Sequence, residues 1–247
     1  PLVAPLCPTD RARNGCFMSA PLCWRFDGST YEGLKTSIRW RYGLVEATSL
    51  YEGHEPSILQ SGPTASAGAV LAVDRGIFVE LGGFDPLYLP GRLEDLDFAY
   101  RGYQAGFHAL YVPESVAYHL GAATFAAVYG TDGCDRLALR NTLLFQWKHL
   151  RAPEHLVRQA AGLALRLLRD VCRAPRLTHE SRFATWRALG AALEQWRARP
   201  HETSSAGGDV ALERAFFRVH HPRSIDRVKS DTRPASFLAA PLEGMAA

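Results

Sequence analysis

Residues 82–119 read GGFDPLYLPGRLEDLDFAYRGYQAGFHALYVPESVAYH. The Gly82-Gly83 pair suits a turn with φ above zero. Leu93 to Gly106 has helical character, with Glu94, Asp95 and Asp97 in its first turn. Carboxylates are favoured there by the macrodipole and the unpaired N–H groups, whatever a protein does. The three differ in direction. Asp97 stands four residues before Arg101, so the two share a helix face as an ion pair. Asp95, two positions earlier, points about 200° away from that pair, off the helix tip. Glu94 has two readings: it holds a substrate hydroxyl, or it repels its neighbour and raises that neighbour's pKa. Both suit a general base. A strand-like run follows, stopped by Pro113, and a second short extended segment ends at His119. A histidine beside apolar residues is, taken alone, more often a satisfied core or surface residue than a ligand.

Outward from this stretch the pattern is that of an α/β core. It predicts a strand over 67–73 (AGAVLAV), a short helix from Arg75 to Leu81, and a helix over 94–106. Strands near 108–112 and 115–119 and a helix from about Asp135 to Leu150 complete it. The sheet is expected to be mixed, because links as short as Pro113-Glu114 cannot hold a crossover. Arg140 and Asn141 are placed to cap the last helix or to tie it to the loop of the site.

Six segments, in order, carry a resemblance. They are AGAVLAV (67–73), GGFD (82–85), LEDLDFAYR (93–101), YVPE (111–114), YHLG (118–121) and RNTLLFQWKHL (140–150). Together they resemble the inverting family 2 glycosyltransferases of the GT-A fold, particularly bacterial enzymes that extend cell-surface polysaccharides and lipid-linked glycans. The resemblance covers roughly residues 1–150 and rests on the set, no single element being specific. It implies an acceptor-side half of a GT-A, Rossmann-like catalytic domain. By that resemblance Asp95 is the base that deprotonates the acceptor hydroxyl. His119 becomes a ligand of a divalent metal (Mg or Mn) held with the nucleotide diphosphate. Glu94, Gly68, Ala69, Gly83 and Arg92 become the substrate-binding candidates. Gly68 and Ala69 fall where the family brings backbone close to the sugar, which a residue with little or no side chain permits. Gly82 and Gly83 equally suit a turn alone. The partners implied are a nucleotide-sugar donor and a glycan or lipid-linked acceptor.

The same comparison exposes a departure. A strand, a diphosphate-sugar pocket and an Asp-x-Asp motif should precede the acceptor half, and the D-x-D at 95–97 belongs to the base element. The chain therefore reads as the carboxy-terminal part of a longer enzyme, with Leu2-Val3-Ala4-Pro5 as the strand after the metal motif. Two other readings stay open. One is a non-catalytic carbohydrate-binding remnant; the other is a metal-dependent hydrolase using Asp95 and His119 on a bound water.

At 247 residues and 47% hydrophobic, the chain is long enough to bury a sizeable core. Five cysteines, odd in number and without a C-x-x-C pair, suggest neither a zinc site nor a secreted disulfide framework. A cytoplasmic setting is the natural reading, and no apolar run reaches the length of a transmembrane helix. The net charge of +3 hides an asymmetry: residues 151–200 hold ten arginines against four acidic residues. From Glu154 to Arg173, Leu156, Ala160, Leu163, Ala164, Leu167 and Val171 follow helical spacing, with Arg158, Arg166, Arg169 and Arg173 on the other side. A second pattern, ending before Pro200, aligns Phe183, Trp186, Gly190 and Leu193. This basic extension, 151–200, is either a hairpin with buried apolar faces and solvated arginines or a peripheral contact, through 154–199, with the inner face of a membrane. Nucleic acid is excluded as a partner, since only one block is basic and no reading motif occurs. Residues 5–66 read as a small irregular subdomain whose aromatics pack together or stack on sugars. Residues 201–247 read as a largely flexible tail, with a short helix about Ala215-Phe216-Phe217.

Overall fold

The computed structural model of the protein describes residues 1–6, 15–33, 35–49, 58–68, 70–121, 123–174, 183–199 and 209–222. Its centre is β1 (Cys16–Arg25), whose residues CFMSAPLC are all buried. Such a continuous apolar run belongs to a strand covered on both faces. β2 (Tyr31–Gly33) pairs antiparallel with its far end. β3 (Thr36–Arg41) and β4 (Leu44–Ser49) form a separate hairpin whose two-residue turn has Tyr42 at φ 49° and Gly43 at φ 77°. Both central residues at positive φ mark the turn type that matches strand twist. β5 (Gly62–Pro63), β6 (Ala72–Val73), α1 (Arg75–Glu80), α2 (Glu94–Gln104) and β7 (His108–His119) complete the sheet and its cover. α3 (Ala123–His149), α4 (Pro153–Arg173), α5 (Ala184–Ala198) and α6 (Val210–Val219) follow.

The larger sheet runs β2-β1-β7-β5, with β6 also on β1. β1 and β7 are parallel and every other pair is antiparallel, so the mixed α/β sheet read from the sequence is present. Two prolines interrupt the central pair. The register jumps from Pro21↔Val112 to Leu22↔Val116, leaving Pro113, Glu114 and Ser115 as a bulge. A proline cannot donate to a ladder, so it is tolerated there. The expected separate strands at 108–112 and 115–119 are thus one bulged strand. Among the described residues of 67–73 only Ala72–Val73 is strand, because Gly68 sits at φ 68° and turns the chain away. Leu2–Pro5 was expected to be extended; Ala4–Leu6 is a 3-10 turn instead.

α2 lies between two cores. Phe98 and Ala99 pack with Phe17, Met18, Ala20 and Tyr111 under the sheet. Leu96 and Tyr100 pack on the other side with Ile38, Tyr88, Phe145 and Phe216. A Cβ on Gly102 would lie 2.2 Å from the Phe17 ring, so the helix approaches the sheet as closely as it does only through a glycine. Buried along both flanks, α2 has its free end at Glu94 and Asp95.

Three features of the carboxy-terminal part bear on the sequence reading. First, the inward side of α4 is polar: His155, Gln159 and Gly162 are buried, Arg166 donates to the carbonyls of Tyr42 (3.0 Å) and Arg41 (3.1 Å), and Arg158 lies over the Trp40 ring, while Arg169 and Arg173 are exposed. Gly162 meets Gly43 backbone to backbone, an approach that leaves no room for a Cβ on either. Val157, Leu165, Leu168 and Val171 face outward at 68, 55, 60 and 51% exposure. Second, α5 buries Thr185, Ala188 and Ala192, while Trp186 and Leu193 are exposed. Third, the short helix expected about Ala215-Phe216-Phe217 is present as α6, and it is docked: Phe216 and Phe217 enter the second core, and Ile38 donates its N–H to the His220 carbonyl at 2.8 Å. The other tail residues, 201–208 and 223–247, lie outside the described ones. The aromatics of the first sixty residues are partly packed, Trp24 against Tyr31 and Trp40 against Phe217.

Candidate active site

The loop before α2 is fixed by buried charge. Asp97, fully buried, accepts hydrogen bonds from Tyr88 Oη (3.0 Å), Arg101 Nε (2.8 Å), Lys148 Nζ (2.7 Å) and His149 Nε2 (2.6 Å). Burial opposes its ionisation, but the His149 hydrogen bond and the Lys148 and Arg101 charges outweigh it and hold the carboxyl well below the usual range. Burial pushes His149 down, and its Nε2 donates to the Asp97 carboxylate. Lys148 also binds Asp85 Oδ2 at 2.7 Å, and Asp85 Oδ1 caps the turn at Pro86–Tyr88 through the Leu87 N–H. The ion pair read from the 97/101 spacing is therefore one edge of a larger network.

Asn141 completes the clamp. Its side-chain amide donates to the carbonyls of Tyr88 (2.9 Å), Gly91 (2.8 Å) and Arg92 (2.8 Å), and Arg140 reaches the Leu89 carbonyl. The cross-link expected from Arg140 and Asn141 is present. It holds Arg92 (φ 81°) and Leu93 (φ 67°) in the left-handed region, which L-residues adopt only when their surroundings enforce it. Leu93 supplies no side-chain cap, so the first N–H groups of α2 lie beside Glu94 and Asp95 themselves.

Asp95, half-buried, is held from the other side. Ser66 Oγ donates a short hydrogen bond to its Oδ2, and the Gly68 N–H donates to the same oxygen at 3.0 Å. Neither bond uses Oδ1. Ser66 is placed by a chain of bonds that follows β5: Thr64 N–H to the Ala109 carbonyl, Thr36 N–H to Thr64 Oγ1, and Thr64 Oγ1 to the Ser66 carbonyl. The sequence reading missed Ser66; its signal is the small-residue run Ala65-Ser66-Ala67 just before Gly68. Gly68 is exposed, with nothing within 4 Å of where its Cβ would be, so backbone is open to a ligand there. Ala69 lies outside the described residues.

Glu94 is half-buried, and its Oε2 has no hydrogen-bond partner among the described residues. Burial first, and then the Asp95 charge, push its carboxyl upward. The repulsion read between these neighbours thus raises Glu94. Arg92 is exposed, its guanidinium 5.6 Å from the Phe125 ring centre. Gly83, at φ 67°, packs its Cα on Phe78 and gives its carbonyl to Arg101 at 2.6 Å, so its contacts are those of a turn.

His119 lies on β7, the strand next to β5. It ends β7 opposite Arg25, with Nδ1 buried, without a hydrogen-bond partner, and 3.9 Å from Glu32 Oε1 of β2. Gly121 passes directly against the Glu32 carboxylate, where a Cβ would coincide with Oε1. Asp95 is bonded to the loop beyond β5, the strand paired with the first half of β7, and His119 closes the other end of β7; no hydrogen bond or ion pair among the described residues joins them. One imidazole nitrogen and one carboxylate suit a divalent ion such as Mg or Mn. Among the described residues no group of three or more such side chains forms, so further ligands would have to be a diphosphate and water.

No family model matches the chain, and no curated protein matches it. Among solved structures the chain is similar to the crystal structure of GalNAc-T7 with UDP, GalNAc and Mn2+, with a TM-score of 0.40 and 20% identity over 89% of this chain. The chain spans about a third (34%) of the length of that protein.

Proposed function

We propose that this chain is the acceptor-side portion of a GT-A glycosyltransferase that moves a sugar from a nucleotide-sugar donor to a saccharide or lipid-linked glycan with inversion. The observation that carries the reading is the state of Asp95. Its carboxylate leaves the tip of a helix rigid on both flanks, one oxygen is fixed by Ser66 and Gly68, and the other carries neither bond. That is how a general base is oriented before its substrate arrives. In the step, Asp95 Oδ1 takes the proton of an acceptor hydroxyl and that oxygen bonds to the anomeric carbon. The bond to the diphosphate breaks, and its electron pair leaves with the phosphate oxygen. His119, with Glu32, would hold a divalent ion, which when bound neutralises charge on the departing diphosphate. In the longer parent chain that this reading requires, transfer from a panel of nucleotide-sugars is the assay, and Asp95→Asn is the variant that tests it.

The outward stripe of α4 has a role in the same proposal. Val157, Leu165, Leu168 and Val171 fall on one helix side, and the exposed Arg158 and Arg169 border one edge of it. Apolar residues flanked by cations fit an anionic lipid surface, which would bring a lipid-linked acceptor to the site. No helix among the described residues is long and apolar enough to cross a membrane.

A further inference from the structure

α3 is two helices in one. Gly130, at φ 63° and ψ 176°, breaks it, so that 123–129 is a separate short segment ahead of the long helix. Such a backbone is essentially restricted to glycine. The short segment turns its aromatic side back onto the loop of the site. Phe125 lies so close to Gly91 that a Cβ there would come 2.8 Å from the ring, and the same Cβ would be 3.7 Å from Glu94 Oε1. Phe125 and Glu94 therefore share one small space over Gly91. Tyr129 extends the surface, its ring centre 5.6 Å from that of Phe125, and it is 40% exposed. Beside this aromatic surface is the Glu94 carboxylate, whose Oε2 is shielded from solvent and has no hydrogen-bond partner among the described residues.

A buried carboxylate oxygen without a donor is costly and calls for a partner. A half-exposed Phe125 ring, with Arg92 over it, and the exposed Tyr129 ring beside it call for a ligand with one apolar face and polar edges. A pyranose meets both requirements, since its axial C–H bonds form an apolar face and its rim carries hydroxyl donors. We propose that Phe125 and Tyr129 are a stacking platform for a pyranose ring of the acceptor, one of whose hydroxyl groups donates to Glu94 Oε2. The inference rests on the glycosyltransferase reading and gives the acceptor's class: a neutral terminal sugar, recognised by its C–H face.

Saturation-transfer NMR on the purified chain, with the methyl α- and β-pyranosides of glucose, galactose, mannose, rhamnose and N-acetylglucosamine as probes, tests the platform. At least one probe should receive saturation, strongest on the protons of one ring face. Tyr129→Ala, at an exposed position, should cut the signal at least fivefold, and Phe125→Leu should do the same with unchanged near-UV circular dichroism. Glu94→Gln should weaken binding about tenfold. No saturation of any probe, or undiminished saturation in Tyr129→Ala, overturns the proposal. The two readings fail separately. A parent enzyme that transfers sugar with an unchanged acceptor KM in Tyr129→Ala refutes the platform alone. A chain that binds pyranosides through Tyr129, from a parent inert with every donor, refutes the transferase reading alone.

Discussion

Gly68 donates its backbone N–H to Oδ2 of Asp95 at 3.0 Å, across 27 residues of sequence, and Ser66 donates its hydroxyl to the same oxygen. The candidate base is thus oriented by the loop beyond β5 as well as by its own helix. Ser66→Ala removes one donor and leaves a small residue in a buried position. A hydrogen bond to a charged group is worth roughly 1.5–3 kcal/mol. The parent enzyme should lose about tenfold or more in kcat, with little change in KM for the donor. Equal kcat values would show that Ser66 does not orient Asp95.

The network at Asp97 should matter more to stability than any surface pair. Lys148→Met leaves Asp97 and Asp85 without their shared cation, and breaking a buried pair in this way costs about 3–5 kcal/mol. Urea denaturation should show a midpoint lowered accordingly with an unchanged slope. A loss below about 1 kcal/mol, the size of an exposed pair, would contradict the network's role.

Acid should loosen the carboxy-terminal helix through His220. Burial beside Phe216 and Tyr103 pushes its pKa down from 6.5 to about 4. The unfolded chain therefore takes up the proton first, and the stability held by the neutral ring is complete above pH 6.5 and is lost as the pH falls towards 4. A shift of that size corresponds to about 3 kcal/mol. The measurement is denaturation at pH 7 and pH 4.5, compared with His220→Leu, in which groups common to both chains cancel. The variant should show a clearly smaller loss between the two pH values; parallel losses would remove His220 as the cause.

Binding to vesicles should depend on the outward stripe of α4. Cosedimentation with vesicles containing anionic lipid should retain the protein, vesicles of zwitterionic lipid alone should retain less, and Leu168→Asp should abolish retention. Equal binding by Leu168→Asp would end the lipid proposal.

What could be read from the sequence follows physical range. The Asp97–Arg101 pair was legible because a four-residue spacing fixes a helix face, whereas Lys148 and His149 reach Asp97 across 51 and 52 residues and no local rule announces them. Ser66 was missed for the same reason, 29 residues from the carboxylate that it holds. For α4, periodicity separated two faces but could not say which one is buried. The glycine at 162 was the available clue, since its lack of a side chain lets the helix settle on the hairpin turn at Gly43. The patch at Phe216 and Phe217 was visible as apolar, yet its burial depends on Trp40, Tyr100 and His155, which are distant in sequence. The pairing of Asp95 with His119 in one cavity was the strongest expectation of proximity, and the structure gives each its own neighbours.

The most direct test of the account is Asp95→Asn in the parent chain, assayed for sugar transfer with the thermal midpoint followed alongside. A positioned general base contributes about 10² to 10⁴ in rate. The account predicts a fall in kcat of at least 10² with an unchanged fold, since asparagine can still accept from Ser66 and Gly68. Turnover within a few fold of the unaltered enzyme would contradict it.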